Sequence, residues 1–434
     1  MSPDPAALAL AYAQHVDQIV RAYAAATEAH GFGALAIHAG APALVNRFDD
    51  RHHGLSPTPS FTHVAPIGEP DAWIVIRPGA RPRLIRPVVE DFWEAPPPAP
   101  PDFVLAAFDV VHANVEQIAS LIPQNKTAIV SRDPIDREHL NPPALIEALD
   151  AARTRKTSYE RLCLAEATRR AVIGHRAAAA RFAADANASE LQLHLHYLDA
   201  SGQADGDTPY QGIVALGRHA ATLHHVSYDR EPGRRDESLL VDAGASFLGY
   251  GADITRTYAR GDTGLFHDLL ARMDDLQQEI CRRIKPGLAY ETLHDEAHHL
   301  LAAVLVDLDI AGGPRGSTAS LVDRGVTRAL FPHGLGHSLG VCVHDVGMKR
   351  VPPRPDNPFL RNTSTIEVGQ VFTIEPGCYV IDALLAPLRA DDRADLIDWD
   401  AIEAIRPFGG IRVEDDVAVV DGGLTNFTRD AFAA

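Results

Sequence analysis

Residues 331 to 345 read Phe-Pro-His-Gly-Leu-Gly-His-Ser-Leu-Gly-Val-Cys-Val-His-Asp, which puts His333, His337 and His344 within twelve residues. Imidazole is the commonest metal ligand and the usual proton carrier near neutral pH. Gly334, Gly336 and Gly340 lie between the histidines. Glycine permits positive φ and close backbone approach. The run therefore predicts a turn that gathers imidazoles, followed by a short strand over Val341, Cys342 and Val343.

Carboxylates recur in segments that read as strands. Asp242 follows Leu239-Leu240-Val241, and Asp253 precedes Ile254-Thr255 in a β-branched run. An aspartate in a buried strand is costly unless it is paired or bound to metal. These two can face one another across an antiparallel pair, where opposed Cβ atoms are roughly 5 Å apart, and like charges so close call for a cation between them. Glu375 ends the apolar run Val371-Phe372-Thr373-Ile374 and is followed by a Pro-Gly turn. Arg412 and Glu414 share one face of a further strand, since side chains alternate with period two. Asp415 and Asp416 continue the acidic run, and one of them must face away. Taken singly, each segment reads as a strand-edge carboxylate paired with an arginine. Together with His337 they supply four carboxylates and one imidazole. Such a set can bridge two divalent cations that share a water, lower its pKa and polarise a carbonyl. With one nitrogen against many oxygens, manganese, cobalt or zinc suits it.

Other histidines read differently. His224 and His225 are adjacent and would point to opposite faces of a strand, so at most one enters a given site. His294 and His298 stand four apart, but Glu296 is one place late for a zincin motif, and packing or surface roles are the simpler reading. His52-His53 and Asp49-Asp50 read as solvated loop residues.

The elements that must position these groups fall into two parts. In the first third, Leu8 to Ala29 is helical by spacing. Ala34–His38, Trp73–Ile76, Arg83–Ile85, Phe103–Leu105 and Thr127–Val130 are strand candidates, the second and third forming a hairpin about Pro78-Gly79. A helix is predicted over His112 to Leu121. This alternation implies a small α/β domain with a mixed sheet. Ser56-Pro57-Thr58-Pro59 and the stretch from Ala95 to Pro101 cannot be sheet interior and read as rigid loops. A short helix follows Pro143, and a long one starts near Lys156 and runs to about Ala186. The boundary is expected at 152/153, giving domains 1–152 and 153–434. Beyond it, Gln211–Leu216 is strand-like, while Leu265–Ile284 and Tyr290–Leu308 are helical.

At 434 residues the chain predicts more than one domain. Its net charge of −18 leaves no basic excess to neutralise phosphates, so nucleic acid is not expected as a partner. The four cysteines form no CxxC pair, so no zinc ribbon or disulfide framework is expected and a reduced, cytoplasmic setting is. No window has the apolar length of a membrane span. The apolar run Ala6–Ala13 lacks the basic region of a signal peptide.

The ordered segments resemble the pita-bread metallopeptidases, a superfamily that includes methionine aminopeptidase, aminopeptidase P and prolidase. Asp242 and Asp253 match its DxG…DITR segment, His337 the second histidine of PHGxGHxLG, Glu375 the TxEPGxY segment and Glu414 the RxED segment. Within the superfamily the likeness is to bacterial prolidases, which hydrolyse Xaa-Pro dipeptides. It is carried by Asp207-Thr-Pro-Tyr-Gln-Gly-Ile-Val-Ala-Leu, by Thr222-Leu-His224, by Asp91-Phe92-Trp93 and by the helix from Lys156 to His175. His225 stands where that family usually has tyrosine.

The resemblance implies an α/β (α+β) chain: a small mixed-sheet N-terminal domain followed by a pita-bread, creatinase/aminopeptidase-like catalytic domain. It implies two divalent metal ions held by Asp242, Asp253, His337, Glu375 and Glu414. By the same carry-over His224, His333, His344, Arg361 and Arg412 contact substrate, and Glu375, His333 and His344 take part in catalysis. A metal-bridging hydroxide would attack the carbonyl before proline. An arginine clamp would hold the dipeptide's free carboxylate. A homodimer is expected. The rival readings are aminopeptidase P-type cleavage of longer Xaa-Pro peptides and a non-catalytic binding module. A side activity on phosphotriesters is neither supported nor excluded.

Overall fold

The computed structural model describes residues 3–48, 50–88, 93, 95, 97–204, 206–231 and 237–434, with Val115 by its backbone alone. Asp49, the Asp91-Phe92 part of the Asp91-Phe92-Trp93 segment and Pro96 lie outside these residues. The chain divides into two compact units, Met1–Cys163 with Leu248–Tyr250, and Leu164–Phe247 with Gly251–Ala434.

In the first unit, β1 (Ala34–His38), β2 (Trp73–Ile76), β3 (Arg83–Pro87), β4 (Asp109–Ala113) and β5 (Thr127–Val130) form a sheet of order β4-β3-β2-β1-β5. The sheet is mixed: β1 is antiparallel to β2 and parallel to β5, and β3 is antiparallel to β2 and parallel to β4. Interior strand β1, between β2 and β5, is buried along its whole length, which is why its sequence does not alternate. The helix Pro5–Ala29 begins where the Asp4 carboxylate accepts the Ala7 N–H, and it buries Tyr12, Val16, Ile19 and Tyr23 at helical spacing.

Three local expectations fail here. Phe103–Leu105 is one turn of helix, Asp102–Leu105, and not a strand; three apolar residues are too few to set a period. His112 lies in β4, and the helix starts only at Val115, behind a capping box made by Asn114 and Gln117. The first proline stretch is not all loop: Pro59 opens the helix Pro59–Val64, its fixed φ suiting a first turn. That helix carries His63 into a buried polar cluster, where its Nε2 lies 3.3 Å from Glu160 Oε1 and His15 Nδ1 lies 3.8 Å from Glu160 Oε2.

In the remaining chain, β6 (Ile213–Leu216) and β7 (Ser238–Asp242) are followed by the two-residue strands β8 (Ser246–Phe247) and β9 (Tyr250–Gly251), then β10 (Thr255–Ala259). Strands β10, β7 and β6 form an antiparallel sheet. A second antiparallel sheet contains β11 (Val371–Ile374), β14 (Asp415–Val420) and β15 (Gly423–Asn426), while β12 (Gly377–Tyr379) pairs with β13 (Gly410–Arg412). A bridge between Thr255 and Glu414 ties β10 to the link between β13 and β14. The helices Leu265–Arg283 and Tyr290–Asp307 bury Leu269, Met273, Leu276, Leu293, Leu301 and Leu305 in the core that backs these strands.

Two further expectations are corrected. Asp242 is paired with Thr255, so Asp253 lies two residues before the ladder and not opposite Asp242. Residues 341–343 are bends and form no strand. The pairing segment lies earlier. Thr373 N–H donates to His337 O (2.9 Å), Glu375 N–H to Leu335 O (2.8 Å) and Leu339 N–H to Val371 O (3.1 Å). The histidine run is thus laid antiparallel along β11.

Candidate metal centre

That pairing places His337 beside Glu375. Their facing atoms, Nε2 and Oε1, are 3.6 Å apart, and His337 Nε2 is 3.2 Å from Asp253 Oδ2. Gly336 makes the approach possible: a Cβ there would stand 2.0 Å from the Thr373 carbonyl oxygen and 2.5 Å from the Tyr290 hydroxyl. Asp242 comes from the end of β7, Asp253 from the approach to β10, Glu375 from the end of β11 and Glu414 from the bridge to Thr255. Ligand atoms of Asp253, His337 and Glu414 lie within 4.8 Å of one another. All five side chains line one cavity of about 870 Å³, together with His224, His333, His344, Arg361 and Arg412.

Hydrogen bonds hold the carboxylates in place. The Tyr210 hydroxyl lies 2.8 Å from Asp242 Oδ1 and 2.6 Å from Asp253 Oδ1. Thr255 Oγ1 donates to Glu414 Oε2 (2.7 Å). Arg412 spends each arm on the wall: Nε on Thr255 Oγ1 (3.1 Å), Nη1 on the Tyr379 hydroxyl (2.9 Å) and Nη2 on Asp242 Oδ2 (2.6 Å). Arg361 differs, since it lines the cavity with no ion pair among the described residues. Behind the site, Asp416 accepts from Thr168 Oγ1 (2.8 Å) and from the Asp253 N–H (3.2 Å). Asp415 faces the other way, to Arg256 Nη2 (2.6 Å) and Arg429 Nε (2.8 Å).

Burial and charge set the protonation of the wall. Burial, with Asp253 and its carboxylate neighbours adding repulsion, pushes Glu414 well above the usual carboxylate range and Glu375 up to about 7. Burial raises Asp242 too, against the opposing pull of Arg412. Burial also works against charge on Asp253, but the hydrogen bond and charge of His337 outweigh it and hold Asp253 low. Burial disfavours a charged His337 as well, yet Asp253 and Glu375 raise it to about 9. Four crowded carboxylates therefore cannot all ionise on the protein's own cations, and a bound divalent cation removes that penalty. The donor set fits a hard or borderline metal. Burial and the neighbouring Arg412 lower His333 to about 3, and burial with nearby His337 lowers His344 to about 4, so both rings are neutral at pH 7.

His333 Nε2 faces the Tyr379 hydroxyl at 2.8 Å, and its Nδ1 lies 3.5 Å from Glu375 Oε2. The His344 ring stands edge-on to His337 at 4.4 Å. His224 lines the cavity while His225 turns away to Glu190; the two diverge from a turn and not, as expected, from a strand. His294 and His298 pack together and against Phe331, buried and without a metal-type carboxylate partner among the described residues. Sequence reasoning missed Tyr210, Thr255 and Tyr379 as site residues. Each lies inside a motif already singled out, TPYQG, DITRT or EPGCY, so the signal was their position beside a ligand.

Residues 163–421 match the model of metallopeptidase family M24, and residues 10–151 match that of the Xaa-Pro dipeptidase N-terminal domain. Curated relatives named Xaa-Pro dipeptidase include those of Shewanella piezotolerans, 37% identical over 98% of each chain, and Aeromonas hydrophila, 39% identical over 97% of this chain and 98% of the relative. Among solved structures, proline aminopeptidase P II from Yersinia pestis superposes with a TM-score of 0.75 over 96% of each chain. Aminopeptidase P from E. coli does so with a TM-score of 0.75 over 96% of this chain and 95% of that one. Both are 20% identical to this chain and bear on the fold alone, a mixed α/β N-terminal part followed by a pita-bread part. This chain, with its oxygen-rich pocket and one central imidazole, belongs to metallopeptidase family M24.

Proposed function

We propose that the chain hydrolyses Xaa-Pro dipeptides at a centre of two divalent cations, manganese, cobalt or zinc, held by Asp242, Asp253, His337, Glu375 and Glu414. The observation that carries this reading is the convergence of these five side chains on one cavity wall, where burial and neighbouring carboxylates raise Glu375 and Glu414. The substrate class rests on the relatives named Xaa-Pro dipeptidase. When bound, such a cation pair supplies Lewis acidity and an acidified water.

The chain's own residues do the remainder. Neutral His344 is placed to donate a hydrogen bond to oxygen as charge develops there, while His333, whose N–H is held by the Gly334 carbonyl and whose Nε2 faces the Tyr379 hydroxyl, lines the substrate side of the cavity beside Glu375. Glu375, between His333 and His337, is placed to take a proton from the attacking water and pass it to the departing proline nitrogen. His224 and Arg361 bind the dipeptide, Arg361 pairing with its free carboxylate. Arg412 orients Asp242 and opposes the burial that disfavours its charge. The same reading includes a homodimer, supported by the family likeness, and a cytoplasmic setting, supported by four free cysteines.

Asp242→Asn and His337→Ala are expected to lower kcat/KM on Ala-Pro by at least about a hundredfold. Wild-type enzyme is expected to cleave Ala-Pro far faster than Ala-Pro-Ala. Full activity in either variant, or preference for the tripeptide, would sink the proposal; the second result would favour aminopeptidase P-type cleavage.

A further inference from the structure

A second group of metal-type donors stands apart from this wall. Glu190 opens the helix Glu190–Ser201 and is fully buried. Its Oε1 accepts the Leu216 N–H at 2.9 Å and faces His219 Nδ1 at 2.7 Å. Its Oε2 accepts the Asp229 N–H at 2.8 Å and faces His225 Nε2 at 2.8 Å. The two imidazoles are stacked, with centroids 4.5 Å apart and planes inclined by 28°. Ligand atoms of all three side chains lie within 4.8 Å of one another. We propose that Glu190, His219 and His225 form an accessory site for a zinc-class divalent cation, on the segment that carries His224 into the cavity.

Two imidazoles and one carboxylate are the borderline donor set that zinc, cobalt and nickel prefer. Three protein donors leave a fourth position for water, and the side chain of His219, 44% exposed, gives access from solvent. The carboxylate is already oriented by two backbone amides, the kind of outer support that fixes a metal ligand. The ring nitrogens that face Glu190 are the ones a cation would take as ligands. When the cation enters, each ring carries its proton on the opposite nitrogen, and the lone pair facing Glu190 becomes the ligand. The single negative charge of Glu190 leaves the occupied site with net charge +1. A cation there would tie residues 219 and 225 to the start of helix 190–201 and thereby restrain His224, which lies between them.

Metal analysis tests the site directly. Full-length enzyme is loaded with zinc, dialysed against metal-free buffer and measured for zinc per chain. His219→Ala/His225→Ala is expected to hold one equivalent fewer than wild type. Asp253→Asn/His337→Ala is expected to lose zinc from the cavity wall and keep this equivalent, which separates the accessory site from the catalytic reading. In wild-type crystals with zinc, anomalous scattering at the zinc edge is expected to show a peak about 2.0–2.2 Å from Glu190, His219 Nδ1 and His225 Nε2. Equal zinc in wild type and the 219/225 variant, or no peak at that place, overturns the proposal. Because the diffraction measurement uses wild-type protein, it decides the matter even if the double variant does not fold.

Discussion

Arg361 and Arg412 carry the same charge in the same cavity but are differently committed. Arg412 has given all three arms to Asp242, Thr255 and Tyr379, whereas Arg361 lines the cavity without an ion pair among the described residues. In the proposed reaction, Arg361 is therefore the charge-assisted partner for the substrate's carboxylate. Arg361→Met is expected to raise KM for Ala-Pro by about tenfold, the lower end for a hydrogen bond to a charged group at a partly solvated site, with a smaller change in kcat. Steady-state kinetics check this, and an unchanged KM would assign the clamp elsewhere. At this scale the sequence spoke clearly for carboxylates and imidazoles, because a charge in an apolar strand announces a partner. It was silent on His225, whose partner Glu190 is 35 residues away. Such a contact exists only once the chain has folded.

At the scale of elements, the site depends on one close approach. The segment 335–339 lies along β11 by three backbone hydrogen bonds, and Gly336 has no room for a Cβ beside Thr373. Gly336→Ala must push the segment off the strand and take His337 with it. Because a displacement of an ångström costs on the order of a hundredfold in rate, the variant is expected to lose about that much kcat/KM and to retain less metal, with its far-ultraviolet circular dichroism unchanged. Activity within a few-fold of wild type would mean that the strand absorbs the shift. Glycine spacing made a turn legible in this run, but not its pairing partner. The predicted strand at 341–343 was placed a few residues too late for that reason. Phe103–Leu105 went wrong by another route, since a three-residue apolar run fits a helical turn as well as a strand.

Across the whole molecule, buried neutral histidines are a common liability. Burial lowers His15 to about 4, His175 to about 3 and His294 to about 4. Each binds its proton more readily unfolded, where its pKa is near 6.5, than folded. Folding stability contributed in this way is complete above pH 6.5 and is lost as pH falls towards 4. Each group adds up to about 1.4 kcal/mol per pH unit within that window. In metal-loaded enzyme, where the cation offsets the raised carboxylates of the pocket wall, calorimetry is expected to show Tm nearly flat from pH 8 to 7 and falling steeply between pH 6 and 4.5. A Tm independent of pH in that range would mean that these rings are solvated. Net charge and composition made a water-facing globular chain legible; which histidines are sealed in was not, because burial is a property of the assembled core.

The wall of the pocket joins residues far apart in the chain. Arg412 reaches back 170 residues to Asp242, and Glu414 is bonded to Thr255 across 159. During synthesis, Asp242 and Asp253 leave the ribosome long before the residues that complete their surroundings. A nascent chain displaying only those two aspartates offers a cation a loose, incomplete grip. In the proposed metal centre, the grip is therefore complete only once Arg412 and Glu414 have joined these aspartates.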